Sequence, residues 1–138
     1  MSTYNTNLAA EFYVLSTLHR LGFDATLTLG NKKSVDIVVV LTNGEAISID
    51  VKGLAGSTGF PIDNLKLGKS AQFIVFVTYK NKINDPTFPP ESYVIPSRRL
   101  RPFVYKAPGG RKLVRYSALR DKGSKYREAW TLLRWGTP

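Results

Sequence analysis

Apolar and polar residues follow a helical period near the start of the chain. Leu8, Phe12, Leu15, Leu18 and Leu21 recur at intervals of three or four, which is the spacing of one helix face. This pattern predicts a helix over 6–22. Gly22 is a suitable end for it, because glycine readily adopts the left-handed conformation found after the last helical turn.

After the helix, apolar and polar residues alternate with a period of two, or the chain is continuously apolar. Both patterns are typical of strands. Long loops rich in glycine and in proline are predicted over 53–70 and 80–91. Strands are predicted over 24–29, 34–41, 45–52, 71–79 and 92–96.

The last third of the chain has a less regular pattern. Ser97 is placed to cap a short helix that runs to about Val104. The segment 111–117 fits a strand or a loop followed by a strand, and 124–135 fits a C-terminal helix capped by Ser124. In that helix Tyr126 and Trp130 are expected in the core rather than as platforms for bases. A helix, a strand meander and mixed elements predict one α/β (mixed α+β) domain over 1–138.

The loop between the strands at 34–41 and 45–52 decides which side chains share a face. A two-residue Asn43-Gly44 loop would put Asp36 and Asp50 on opposite sides of the hairpin. A three-residue loop from Thr42 to Gly44 pairs Leu41 with Glu45 and places Asp36 opposite Asp50. We prefer the longer loop because it gives one continuous apolar face.

Four polar positions are candidates for chemistry. Glu11 falls within the apolar arc of the predicted helix, where a carboxylate is costly unless it has a partner, although it could also reach water near the helix start. Asp36 and Asp50 would repel each other across the hairpin, and a divalent cation would reverse the sign of that interaction. Carboxylate oxygens suit Mg²⁺ or Mn²⁺. Lys52 shares a strand face with Asp50, and a simple ion pair between them, without a metal, is the alternative.

The excess of positive charge lies in the C-terminal part of the chain. Residues 1–97 contain eight Lys/Arg and eight Asp/Glu, whereas 98–138 contain twelve and two, so the whole net charge of +10 lies in the latter. Such asymmetry indicates a polyanion, nucleic acid rather than membrane, although a solubilising surface remains an alternative. The residues expected to contact nucleic acid are Lys66, Lys69, Arg98, Arg99, Arg101, Arg111, Lys112 and Arg115.

The order of these residues resembles the PD-(D/E)XK nuclease superfamily, which includes type II restriction enzymes and Holliday junction resolvases. The resemblance covers about the first 53 residues, through "AAEFYVLSTLHRLGF", "SVDIVVV" and "ISIDVKG". The proline that precedes the first aspartate in the family is Val35 here, and the glutamate of its E-x-K motif is Asp50.

The resemblance implies a restriction endonuclease-like core, with a central mixed sheet flanked by helices. It also implies that Asp36, Asp50 and the carbonyl of Val51 bind Mg²⁺ or Mn²⁺. Glu11 would act directly or through water, and Lys52 would orient or activate the attacking water. The implied activity is hydrolysis of DNA, double-stranded or branched, rather than RNA. Many members cut as dimers, so a homodimer is compatible with it.

Two other functions stay open at this point. The chain could be a nucleic-acid-binding module on the same fold without catalysis, or a regulatory domain whose basic face binds an acidic protein. The N-terminal residues show no secretory signal pattern, and the apolar run from Ile37 to Leu41 is too short to span a bilayer. A cytoplasmic protein is therefore expected. The chain has no cysteine, which excludes a disulfide framework and a thiolate metal site.

Overall fold

A computed structural model describes residues 3–28 and 36–135. The predicted first helix is confirmed as α1, Thr3–Arg20. Gly22 follows it with a φ of +84°, and the N–H of Phe23 donates to the carbonyl of Leu18 at 3.0 Å. This is the Schellman arrangement that a glycine after the last turn favours.

The face that α1 buries differs from the predicted one. Thr6, Ala10, Val14 and Leu18 point into the core, whereas Phe12 is 54% exposed. The small residues at the centre of this face allow the helix to lie close to the sheet, which the large apolar side chains would prevent. Glu11 consequently lies on the flank of the buried face rather than inside it.

Within residues 3–28 and 36–135, eight strands form two sheets, and the mixed α+β prediction is confirmed. The five-stranded sheet has the order β1-β2-β3-β5-β6, with β3 and β5 parallel and the other neighbours antiparallel. The second sheet has the order β4-β8-β7. The bounds are β1 Asp24–Leu27, β2 Ile37–Val40, β3 Ala46–Leu54, β4 Gly59–Pro61, β5 Gln72–Thr78, β6 Glu91–Pro96, β7 Val104–Lys106 and β8 Lys112–Arg115. Residues 29, 34 and 35 of the predicted strands lie outside the described residues.

The large sheet separates two apolar cores. Helix α1 covers one face, where Phe73 and Val75 of β5 are buried. The second sheet and helix α2, Tyr116–Lys122, cover the other, where Ile74 and Phe76 are buried. Strand β5 is therefore buried on both faces, which explains its continuous apolar sequence. Among the described residues, no helix is long and apolar enough to cross a membrane.

The preferred hairpin register is confirmed. Ile37 lies opposite Ile49, and Val39 lies opposite Ile47. The N–H of Leu41 donates to the carbonyl of Glu45 at 2.7 Å, and Gly44 has a φ of +88°. Glycine supplies the left-handed residue that closes this three-residue loop, and the register brings Asp36 to the level of Asp50.

The predicted C-terminal helix over 124–135 is wrong. Two 3₁₀ turns, Ser124–Tyr126 and Trp130–Trp135, stand in its place, and Ser124 caps neither of them. Between the turns Glu128 has a φ of +49°, and its carboxylate accepts the N–H of Ser92 on β6 at 2.9 Å. In this segment, hydrogen bonds to the edge strand β6 form in place of the hydrogen bonds of the predicted helix. Tyr126 and Trp130 are buried in the core, as predicted.

Three other local predictions need correction. Ser97 does not cap a helix: its hydroxyl accepts the N–H of Gly68, and two 3₁₀ turns, Ser97–Arg99 and Arg101–Phe103, follow. The glycine-rich loop contains strand β4, and the sequence pattern missed α2 and β7. Each of these elements is too short for its period to be visible in the sequence.

Candidate active site

Strand β3 carries two of the predicted residues on one face. Asp50 is 3% exposed, and its Oδ1 lies 3.6 Å from Nζ of Lys52. The lysine side chain retains 23% exposure, so it is accessible from solvent. Their neighbours on β5, Ile74 and Phe76, belong to the core beneath the second sheet. The pair therefore lies on the face of the sheet away from α1.

Asp36 is fixed to β3 through both its backbone and its side chain. Its Oδ2 accepts the N–H of Val51 at 2.7 Å, and its own N–H donates to the carbonyl of Ile49 at 3.1 Å. The carboxylate of Asp36 thus takes the place of a backbone carbonyl as the acceptor for the N–H of Val51. It does so one residue before the regular pairing of β2 begins at Ile37. The carboxyl groups of Asp36 and Asp50 come within hydrogen-bonding reach of each other as a result.

Burial and charge together change the titration of Asp50. Burial raises its pKa, Lys52 opposes the rise and Asp36 adds to it, with a net result of about 7 against an ordinary value of 3.8. Near neutral pH the two carboxyl groups therefore hold less than their full negative charge. A bound cation would favour the fully ionised pair.

Glu11, on α1, is close enough to Asp36 and Lys52 for their charges to affect it. Burial and the negative charge of Asp36 raise the pKa of Glu11, and Lys52 lowers it. Its position depends on a close contact between α1 and β3, because a Cβ on Gly53 would lie 2.9 Å from Cβ of Ala10. Asp36 and Lys52 thus interact electrostatically with both Glu11 and Asp50.

The donor set suits a hard divalent ion held mainly by water. Within 3–28 and 36–135, no three acidic or imidazole groups are arranged to hold a metal ion between them. Two adjacent carboxylates nevertheless fit Mg²⁺, which commonly binds through one or two carboxylates and retains several waters. A contribution from the Val51 carbonyl, and one from Glu11 through water, stay predictions.

The predicted nucleic-acid-binding residues are all exposed but differ in their partners. Arg111 forms an ion pair with Asp63 at 3.0 Å, and the guanidinium of Arg115 stacks 3.4 Å from the ring centroid of Tyr105. The others have exposed side chains: Lys66, Lys69, Arg98, Arg99, Arg101 and Lys112. Part of the predicted basic surface is therefore already neutralised within the protein.

A second buried carboxylate, Glu91, has no signal in the sequence pattern. Its Oε2 accepts the hydroxyl groups of Tyr93 at 2.6 Å and Tyr116 at 2.9 Å. Lys80 and Arg127 lie 3.4 and 3.5 Å from its Oε1. Five residues from four separate segments meet here. The cluster joins β6 to α2 and is saturated with partners, which is typical of a structural network.

The fold is similar to that of a solved bacterial homing endonuclease, I-Ssp6803I. The two structures superpose with a TM-score of 0.64 at 18% sequence identity, over 98% of this chain and 95% of that one. No family model matches the chain, and a search of curated proteins found no relative. The likeness shows a shared fold.

Proposed function

We propose that this protein is a Mg²⁺-dependent endonuclease of the PD-(D/E)XK type, which hydrolyses phosphodiester bonds in double-stranded or branched DNA. The observation that carries the proposal is the meeting of Asp36, Asp50 and Lys52 at the start of the β2–β3 pairing. The fold likeness to a homing endonuclease supports it.

Each residue has a distinct part in this proposal. Asp36 and Asp50 hold the cation, which supplies charge neutralisation at the phosphate and makes water easier to ionise. The ammonium group of Lys52 donates a hydrogen bond to the attacking water or to a phosphate oxygen. Glu11 orients a water molecule at the same site. The exposed arginines and lysines beyond residue 97 bind the DNA backbone.

The hydrogen bond from Val51 to Asp36 supports this assignment. It occupies one carboxylate oxygen, Oδ2, and so fixes the orientation of the carboxyl group. An aspartate that served only to balance Lys52 would not need this attachment, since Asp50 already lies beside the lysine. This placement supports the proposal that Asp36 is a ligand whose orientation matters.

A cleavage assay with matched variants tests the proposal. A labelled DNA duplex and a four-way junction are incubated with protein and Mg²⁺, and then with EDTA. We expect Mg²⁺-dependent cleavage that disappears in Asp50→Asn and Lys52→Ala while DNA binding is retained. The controls are Glu45→Gln, which neutralises an exposed carboxylate just after the hairpin loop, and Lys82→Ala, which removes an exposed lysine; both should cut normally.

The same assay separates the alternatives. Binding without cleavage in any divalent ion would assign the protein as a nucleic-acid-binding module. Absence of affinity for either DNA at low salt would favour a domain that binds an acidic protein. Equal cleavage by Lys52→Ala and wild type would remove the lysine from the mechanism.

A further inference from the structure

A basic pocket lies outside the predicted catalytic residues. It has a volume of about 340 Å³ and opens between the turns that follow β6 and the end of α2. Phe103 and Tyr126 form part of its wall, and four basic residues surround it. These are Arg98, Arg99, Lys122 and Lys125. The two lysines were not among the residues expected to contact DNA.

The four basic side chains carry uncompensated charge. All are exposed, and within the described part of the chain none forms an ion pair. Other cations of the same region differ in this respect: Arg120 pairs with Asp121 at 2.8 Å, and Arg127 contacts Glu91 at 3.5 Å. Among the residues that the structure describes, no acidic side chain lines the pocket. Like charges around one cavity repel each other, so an anion bound there would stabilise the protein.

The pocket has a rigid base. Phe103 and Tyr126 are each 7% exposed, and their rings meet edge to face with centroids 6.0 Å apart. Gly123 allows this packing, because a Cβ there would lie 3.2 Å from Cε1 of Phe103 and 2.8 Å from the carbonyl oxygen of Leu119. Lys122 and Lys125 flank this glycine, so the close packing holds both lysines beside the arginine segment.

We propose that this pocket binds one backbone phosphate of the DNA substrate, at a position other than the bond that is cut. Guanidinium groups match phosphate oxygens with paired hydrogen bonds, and lysines add point charge. The apolar wall excludes water on one side, which strengthens the electrostatic attraction. The pocket contacts the backbone and no base, so it increases affinity without selecting sequence. This inference rests on the proposed function.

The test compares two variants that lose the same charge. Lys122→Gln/Lys125→Gln removes two pocket cations, and Arg20→Gln/Lys82→Gln removes two exposed cations elsewhere. Binding of a fluorescent duplex is measured in Ca²⁺ over a range of NaCl concentrations. The magnitude of the slope of log K against log[NaCl] should fall by about 0.9 for the pocket variant, since one phosphate contact contributes about 0.9. The control should keep the wild-type slope, and a melting curve verifies that both variants fold.

A second arm identifies the source of the anion. Poly-glutamate replaces the duplex at equal charge concentration, and we expect weak binding that the pocket variant does not change. Pocket-dependent binding of poly-glutamate with an unchanged DNA slope would overturn the proposal. An equal fall in slope for both variants would also overturn it, because the effect would then be one of total charge.

Mg²⁺ cleavage assays on the same proteins separate the two proposals. Normal cleavage with an unchanged slope in the pocket variant refutes the phosphate site and leaves the nuclease. A reduced slope in a protein that never cleaves leaves the phosphate site and refutes the nuclease. Absence of DNA binding by the wild type refutes both.

Discussion

The side chain of Asp36 accepts a hydrogen bond of 2.7 Å from the backbone N–H of Val51. This contact fixes an acid that precedes β2 to the strand that carries Asp50 and Lys52. The orientation of Asp36 is consequently set by the fold itself. Sites that hold ligands or substrates precisely are built in this way, on residues whose own positions are locked.

Neutralising either aspartate should stabilise the protein in EDTA. Asp36→Asn and Asp50→Asn each remove a repulsive partner, and an asparagine at 36 can still accept the N–H of Val51. We expect an increase of about 1–2 kcal/mol in the free energy of unfolding at pH 8. Thermal and urea denaturation measure it, with Glu45→Gln as the unchanged control. Lower stability of both variants would contradict the close carboxylate pair.

The same aspartate predicts a pH dependence of stability. The pKa of Asp50 is about 7 in the folded protein against an ordinary 3.8, so the folded state binds more protons between these values. Its contribution to stability is therefore largest below pH 4, falls as the pH rises towards 7 and is constant above. The stability difference between Asp50→Asn and wild type should grow over this interval when urea denaturation is repeated from pH 4 to 8. If the stability difference between the two proteins did not change with pH, the proton bound in this interval would not belong to Asp50.

Glu91 should contribute to stability with the opposite pH dependence. Burial alone would raise its pKa, but the hydroxyl groups of Tyr93 and Tyr116 and the charge of Arg127 bring it below the ordinary 4.5. The stabilisation is thus complete above pH 4.5 and is lost as the pH falls through the lowered pKa.

Glu91→Gln should accordingly lower the free energy of unfolding by about 1–3 kcal/mol at pH 7, and by less in acid. Tyr116→Phe removes one hydrogen bond and is the milder comparison, at about 1 kcal/mol. Chemical denaturation at pH 7 and at pH 3 measures both. Equal losses at the two pH values would contradict the charged network.

Gly53→Ala should loosen α1 from β3. The new Cβ would lie 2.9 Å from Cβ of Ala10 and 3.0 Å from the carbonyl oxygen of Thr6, and a buried overlap of this kind costs about 1–3 kcal/mol. Gly59→Ala is the matched control, because its Cβ would meet nothing nearer than 3.6 Å. Thermal melts compare the two variants, and similar melting temperatures would show that the helix is not held by this contact.

Neutralising exposed arginines and Lys112 should reduce the salt dependence of DNA binding. We expect the combined variant of Arg98, Arg99, Arg101, Arg111 and Lys112 to bind with a shallower slope of log K against log[NaCl]. Among single variants, Arg99→Gln should change the slope more than Arg111→Gln, since Arg111 already pairs with Asp63. An unchanged slope in the combined variant would place the DNA-binding face elsewhere on the protein.

Several features could be predicted from the sequence because they depend on neighbours along the chain. The apolar alternation on both sides of Gly44, together with the left-handed turn that glycine permits, determined the hairpin register and the approach of Asp36 to Asp50. The helical period and Gly22 likewise determined the existence and end of α1. The charge asymmetry is a property of composition alone.

Other features were decided only by contacts between distant segments. The buried face of α1 follows from the fit of Ala10 against Gly53, which lies 43 residues away in the sequence. The helix predicted after Ser124 does not form, because the carboxylate of Glu128 accepts a hydrogen bond from the N–H of Ser92 on a sheet edge. The basic pocket exists because Gly123 packs against Phe103 and brings Lys122 beside Arg98. Local periodicity and turn stereochemistry act over a few residues, whereas these contacts form only when the cores on both faces of the sheet assemble.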